Sequence, residues 1–343
     1  MTNAGVLYEN LKSKLADTMP DAELRLKAEV AEEVLALKAE RGAVILAHNY
    51  MEPALYHSVP DHCGDSLELS RWAARCSARV LVFCGVRFMA ETAKILNPTK
   101  RVLLPTARGG CSLAASITSA DVRTLRARYP DAPVVAYVNT SAEVKAEVDV
   151  CCSSSNAAEI IGNLPGPVVI FVPDEFLARN VARETRRSVA VGPELPEARS
   201  RDERWLVAWH GRCEVHEKFT LDDIQRVRSQ FPDAVVLAHP ECRPEVVEAA
   251  DFSGSTSAMA QFVATSTARR YLLLTECTMG DNVAAMNHGK EMLRLCSVRC
   301  PHMNEVRLED VRDALRFDRY EVDVPALASS RSAAALERML RAP

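Results

Sequence analysis

Two histidines and a tyrosine end three similar apolar runs: Val44-Ile45-Leu46-Ala47-His48, Val134-Val135-Ala136-Tyr137 and Val235-Val236-Leu237-Ala238-His239. A small hydroxyl residue follows each at a nearly constant distance. Ser66 lies 18 residues after His48, Ser154 lies 17 after Tyr137, and Thr256 lies 17 after His239. Each copy finishes near a cysteine in a loop-like or Pro-flanked setting: Cys111, Cys213 and Cys300. Three units that each offer a base or phenol, a hydroxyl and a thiol point to one shared central site.

The cysteines invite metal chemistry. Cys111 follows Gly109-Gly110 and opens a helical stretch, a place that favours the thiolate, which is the metal-binding form. Cys300 precedes Pro301, as ligands of iron–sulfur clusters often do. Three ligands would leave one metal position open for substrate. Ligands about 100 residues apart form no compact motif, so spacing alone leaves the metal open. A zinc site could recruit Cys296, Cys300 and His302, but no second pair at finger spacing accompanies them; Cys296 reads as a bystander. Cys76 and Cys84 read as small core residues.

His48 and His239 occupy matching strand ends, a context that shifts them from structural residues toward ligand binding. Glu241, two residues after His239, fits a general base in a dry site or a surface carboxylate after a Pro turn. Asn139 falls at the corresponding end after Tyr137. The clusters Gly64-Asp65-Ser66, Ser153-Ser154-Ser155 and Gly254-Ser255-Thr256 all precede helix-like segments. Such groups cap helices or bind phosphate and carboxylate oxygens, and three at one periodic position favour an anion-binding ring.

The elements that must carry these residues alternate. Strands are expected at 43–48, 80–84, 101–104, 133–138, 167–172, 234–238 and 271–275. Helices are expected at 66–78, 88–96, 118–128, 141–147, 175–187, 221–230, 243–250, 256–268 and 305–316. Short continuous apolar strands alternating with helices imply α/β architecture with parallel sheets, and ligands then sit beyond the carboxyl ends of the strands. The expected division is an N-terminal helical segment (1–40), three α/β repeats (41–116, 117–212, 213–300) and a C-terminal helix and tail (301–343). The stretch 191–203 reads as a charged surface loop. The Ala/Ser/Arg-rich tail from 328 reads as peripheral.

The 343 residues, 48% apolar and 26% charged, suit a globular protein with sizeable cores. A net charge of -4 argues against a nucleic-acid surface or a basic membrane patch. No apolar run approaches a spanning helix and no secretory signal is visible, so a cytoplasmic location is expected. Eleven cysteines, an odd number, then read as reduced thiols rather than a disulfide scaffold.

From about residue 42 to 316 the chain resembles the quinolinate synthase A family. The resemblance is carried by Ala47-His48-Asn49-Tyr50, Gly64-Asp65-Ser66-Leu67-Glu68, Gly110-Cys111-Ser112, Tyr137-Val138-Asn139, Ser153-Ser154-Ser155-Asn156, Cys213-Glu214-Val215-His216, His239-Pro240-Glu241-Cys242, Gly254-Ser255-Thr256-Ser257 and Cys300-Pro301-His302-Met303. It implies three homologous three-layer α/β/α domains about a pseudo-threefold axis, and a [4Fe-4S] cluster held by Cys111, Cys213 and Cys300. It implies condensation of iminoaspartate with dihydroxyacetone phosphate to quinolinate, in de novo NAD biosynthesis. His48, Ser66, Tyr137, Asn139, Ser154, His239, Glu241, Ser255 and Thr256 would contact substrate, with Glu241, Tyr137, His48 and His239 in catalysis. Transient contact with L-aspartate oxidase or aspartate dehydrogenase would supply the unstable imine. The chain departs from the family pattern at Arg87, where His is usual, at Thr106 and Ala115, and at Thr185-Arg186-Arg187, where Thr-Gly-Lys is usual. Two other readings stand beside it: a metal-free receptor for a small dicarboxylate or phosphate compound, and the zinc hydrolase.

Overall fold

Valine- and isoleucine-rich runs of four to six residues cannot cover an apolar surface on one side only; they must be buried on both faces. In the computed structural model, which describes residues 3–192, 203–294 and 298–342, they form three separate sheets in which every strand pairing is parallel. The first holds β1 (Ala43–His48), β2 (His62–Gly64), β3 (Val80–Cys84) and β4 (Arg101–Leu103) in the order β2-β1-β3-β4. The second holds β5 (Val134–Tyr137), β6 (Val150–Cys152), β7 (Val168–Val172), β8 (Ser188–Val191) and β9 (Trp205–Ala208) in the order β6-β5-β7-β9-β8. The third holds β10 (Val235–Ala238), β11 (Phe252–Ser253), β12 (Arg270–Leu274) and β13 (Glu291–Leu293) in the order β11-β10-β12-β13. Helices flank all three.

The seven expected strands are present. The edge strands β2, β6 and β11 and the strand β13 go beyond the expectation because two or three residues carry no apolar run; the four-residue strands β8 and β9 were also not expected, although β9, Trp205-Leu206-Val207-Ala208, is apolar and lies inside the second sheet. One device sets the first three of these edges. The carboxylates of Asp61, Asp149 and Asp251 accept the N–H groups of Ile45, Val134 and Val236 at 2.8, 2.7 and 2.8 Å. Their own N–H groups bond back to the same residues' carbonyls. Each aspartate thus pins the chain beside the central strand just before the edge strand begins.

The sheets meet one another in a cycle. Asn282 Nδ2 donates to the carbonyls of Asn49 and Met51, from the third sheet's helices to the first sheet's strand end. Asn180 Nδ2 does the same to Pro240 and Cys242, from the second to the third. Between the first and second, the buried Glu91 carboxylate accepts the N–H of Ala142. These polar groups are buried and paired with backbone, which fixes sheet against sheet in one arrangement.

The segment before the first sheet forms two helices, Asn3–Leu15 and Asp21–Arg41. Gly42, at φ 55°, ends the second and turns the chain into β1, a left-handed conformation that glycine adopts freely. The tail is not peripheral. It forms the helix Ala326–Arg341, which buries Ser332, Ala335, Leu336 and Met339 against β6 and the helices Ala142–Lys145 and Arg87–Leu96. Its small residues allow close approach, and the Ser332 hydroxyl is satisfied by the Ala328 carbonyl at 2.7 Å. Residues 193–202 of the expected charged loop, and Cys296, lie outside the described residues. No helix among the described residues is long and apolar enough to cross a membrane.

Candidate active site

The central strands β1, β5 and β10 end at a common cavity. His48, Tyr137 and His239 line it at the strand ends, and Asn139 and Glu241 follow two residues later. Ser66, Ser154 and Thr256 line it from the next loops, and Cys111, Cys213 and Cys300 from loops farther on. All the expected residues therefore meet there except Ser255. Its hydroxyl instead caps the helix Thr256–Thr265 and is held by Asp65.

The cysteine loops repeat one design. Cys111 caps the short helix Ser112–Ala115, whereas Cys213 and Cys300 precede the 3-10 turns His216–Lys218 and Met303–Glu305. Seven residues after each cysteine, a backbone N–H bonds to an aspartate at the third helical position: Thr118 to Asp121, Thr220 to Asp223 and Arg307 to Asp310, all at 2.9 Å. The aspartates thus start the next helix at a fixed distance from the thiol. Burial pushes the Cys111 thiol up to about 12 and Cys300 to about 11, and it raises Cys213 well above the usual value, with Glu241 adding to the rise. For Cys111 burial outweighs the helix terminus, contrary to the expected thiolate bias, because a one-turn helix offers little field against full desolvation.

His48 and His239 share one geometry. Each Nδ1 accepts the backbone N–H two residues on, from Tyr50 and from Glu241, at 3.2 Å. This places the imidazole proton on Nε2. Burial depresses both rings, to about 4 for His48 and about 3 for His239, where neighbouring His216 adds to the effect. Both are neutral donors at physiological pH. His239 Nε2 also lies 3.4 Å from Ser154 Oγ.

Three functional groups escaped the sequence reading. His216 Nδ1 lies 2.6 Å from Glu241 Oε2 and 3.2 Å from Cys213 Sγ, and its ring stacks on His239 with centroids 4.5 Å apart. Thr275 Oγ1 lies 3.0 Å from His216 Nε2 and 2.6 Å from the Tyr50 hydroxyl. With His216 donating to Glu241 through Nδ1, the hydrogen bonds run Tyr50 to Thr275 to His216 to Glu241. Tyr50 carried a signal: His48-x-Tyr50, Tyr137-x-Asn139 and His239-x-Glu241 are one repeated pair.

Glu241 is buried, contrary to the surface alternative, and accepts hydrogen bonds from Tyr137 and, at 3.3 Å, from Asn139 Nδ2. Burial alone would raise its carboxyl, but His216, His239 and the Tyr137 hydroxyl hold it below the usual range. Tyr137 is pushed the other way by burial and by that carboxylate, so its hydroxyl keeps its proton.

Three thiols from three parts of the chain, none in a disulfide, face one cavity. Thiols held so far above neutrality need a strong positive charge beside them to ionise, which is what a metal centre provides. The donor set fits such a group. Cys63, Cys76, Cys84, Cys151, Cys152, Cys242 and Cys277 do not line the cavity. His302, offered to the zinc alternative, pairs with Glu214 at 3.3 Å. Arg87 pairs with Glu91 at 2.8 Å on a largely exposed side chain, and it is not among the cavity residues.

Residues 32–341 match the family model described as NadA, quinolinate synthetase A protein. The chain is 48% identical over 339 residues to a protein of Agrobacterium fabrum named quinolinate synthase, covering 99% of this chain and 93% of that one. It is 49% identical over 309 residues to a quinolinate synthase of Xylella fastidiosa, covering 90% and 86%. It is 46% identical over 325 residues to one of Caulobacter vibrioides, covering 94% and 84%. With these relatives alongside a cavity that gathers the motifs of all three repeats, the chain belongs to the quinolinate synthetase A family.

Proposed function

We propose that the protein condenses iminoaspartate with dihydroxyacetone phosphate, releasing phosphate and water and closing the pyridine ring of quinolinate. The observation that carries this reading is the convergence of Cys111, Cys213 and Cys300 on the cavity that also holds the Glu241–His216 pair. Those cysteines would hold a [4Fe-4S] cluster, each standing near the C-terminal end of one α/β unit or just beyond it, with the units following the boundaries 41–116, 117–212 and 213–300. A cluster with three protein ligands supplies, at its open iron, a Lewis acid for a substrate oxygen. The repeated aspartate pins and the cyclic sheet contacts support a pseudo-threefold relation among the units.

The chain's own groups account for binding and proton transfer. Both proposed substrates are anions and the chain is mildly acidic, so donors must be concentrated locally. His48 and His239 offer Nε2–H without carrying charge, and Ser66, Ser154 and Thr256 offer hydroxyls. Asn139 and Tyr137 hold the Glu241 carboxylate, which accepts a proton at Oε1 or Oε2. The proton-bearing Tyr137 hydroxyl can return one. The buried setting keeps water from an imine that water would hydrolyse. A partner that makes the imine, such as L-aspartate oxidase or aspartate dehydrogenase, would meet the enzyme transiently.

Iron and sulfide analysis of anaerobically purified protein, coupled to an assay for quinolinate, tests the reading. Cys111→Ala, Cys213→Ala and Cys300→Ala should each lose the visible iron–sulfur absorption, whereas Cys76→Ala should keep it. If one of the three proves dispensable, the ligand set is wrong. A second reading has its own observation: Cys213, His216 and Glu241 place ligand atoms within 4.8 Å of one another. Zinc in place of iron and sulfide would favour a single-ion site there.

A further inference from the structure

Asp65 precedes Ser66, and its carboxylate is used at both oxygens. Oδ1 accepts the N–H groups of Leu67 and Glu68 at 3.0 Å and so caps the helix Ser66–Arg75. Oδ2 accepts the hydroxyl of Ser155 at 3.1 Å and that of Ser255 at 2.7 Å. Its own N–H donates to Ser257 Oγ at 3.0 Å. Ser155 follows β6 of the second sheet, and Ser255 follows β11 of the third. One buried carboxylate at the first sheet therefore joins all three.

Capping does not require this. A helix N-terminus needs one acceptor oxygen, and serine or asparagine would serve. The second oxygen is spent across the molecule, and it lands in a pattern: Ser66, Ser154 and Thr256, the periodic hydroxyls that line the cavity, are the chain neighbours of Asp65, Ser155 and Ser255. Asp65 also lines both the cavity and an outer groove bordered by Arg71, Trp72 and Ser155. The same bonds therefore stand between the two spaces.

We propose that Asp65 is a positioning residue that sets the hydroxyls of Ser66, Ser154 and Thr256 in register around the substrate anion. This rests on reading those hydroxyls as substrate ligands. A carboxylate accepts four hydrogen bonds, and Asp65 receives four, so none can be lost without freeing a cap or a sheet.

Two variants of the full, cluster-loaded protein separate this role from capping. Asp65→Ser keeps a good cap but is too short to reach Ser155 and Ser255. Asp65→Asn keeps one oxygen for the cap and can donate its amide hydrogens to both serine oxygens. The expected result for Asp65→Ser is unchanged cluster absorption, a KM for dihydroxyacetone phosphate raised about tenfold or more, and faster amide hydrogen exchange at 153–157 and 254–258. Asp65→Asn should return KM to within about threefold of wild type, because it restores the bonds without the charge. Ser155→Ala leaves the Asp65 cap and the Ser255 cap of the helix Thr256–Thr265 intact, and should raise KM and the exchange at 153–157 in the same direction if Asp65→Ser folds poorly. Wild-type KM and exchange in Asp65→Ser or in Ser155→Ala, or equal impairment of Asp65→Ser and Asp65→Asn, would overturn the proposal. A wild-type protein that forms no quinolinate would sink the functional reading instead; the exchange rates report on Asp65 without turnover.

Discussion

His216 Nδ1 lies 2.6 Å from Glu241 Oε2, although one residue stands in the turn after Cys213 and the other in the loop after β10. The pair couples a cysteine loop to a strand end, and its hydrogen bonds continue through Thr275 to the Tyr50 hydroxyl. Glu241→Gln should lower kcat by at least about 100-fold while leaving quinolinate affinity little changed, since the amide keeps the shape but not the basicity. In a metal-free receptor the same variant would barely change ligand affinity, and there would be no turnover to lose. Thr275→Val keeps shape but cuts the chain between Tyr50 and His216; kcat should fall about tenfold or more with iron content unchanged. Steady-state kinetics with iron quantification checks both, and full kcat in Thr275→Val would remove the relay from the mechanism.

Gly211 precedes Cys213 by two residues, and its backbone meets the neighbouring loop. A Cβ there would lie 2.5 Å from the Pro173 carbonyl oxygen and 2.3 Å from Ser116 Oγ. The serine can rotate away, but the carbonyl belongs to backbone and cannot. Its own carbonyl accepts the Glu175 N–H at 2.8 Å, so the strand end cannot drift freely. Gly211→Ala should therefore displace Cys213 and lower iron and sulfide content. Full cluster loading in this variant would show that the loop tolerates the shift.

Arg186 ends the helix Glu175–Thr185 at φ 53°, ψ 44°, where its N–H bonds to the carbonyls of Ala182 and Arg183. Its Cβ makes this left-handed position costly. Arg186→Gly should stabilise the protein by about 1 kcal/mol against chemical denaturation, with activity unaltered. A destabilised Arg186→Gly protein would mean that the arginine side chain contributes more than its backbone costs.

Burial lowers His48 from 6.5 to about 4. Between those values the unfolded chain binds a proton that the folded protein refuses, so stability rises with pH across this window and is lost as pH falls through it. His48→Gln removes this contribution. Its stability should fall less steeply than wild type between pH 6.5 and 4, by up to about 1.4 kcal/mol per pH unit, with no difference in slope above 7. Denaturant midpoints measured across this range decide it; parallel curves would show that His48 titrates normally.

The repeat was legible because burial on both faces writes itself as apolar runs, and because ligands gather where parallel strands end. β1, β5 and β10 and the residues at their ends, from His48 to Glu241, follow from that. The aspartates at 61, 149 and 251 and at 121, 223 and 310 also sit in the sequence at regular spacing. They look like surface carboxylates until their backbone partners are seen. Edge strands of two or three residues leave no such trace, and the helix Ala326–Arg341 hid behind small residues that read as solvent-facing.

The order of chemistry-bearing residues along the chain determined which groups would share a site: a thiol and a hydroxyl recur at matching places in the three repeats, and the strand ends carry His48, Tyr137 and His239, the last followed by Glu241. Only the tertiary structure decided their states. Burial made His48 and His239 neutral donors and raised the thiols, and His216, 25 residues before Glu241, fixed the charge on its carboxylate. Ser255 and Asp65 exchanged the roles their neighbours implied, one turned away from the cavity and the other bound to every sheet. Types and spacing are local properties of the chain. Protonation and hydrogen-bond direction depend on what the other two sheets bring within 3 Å or so of each group.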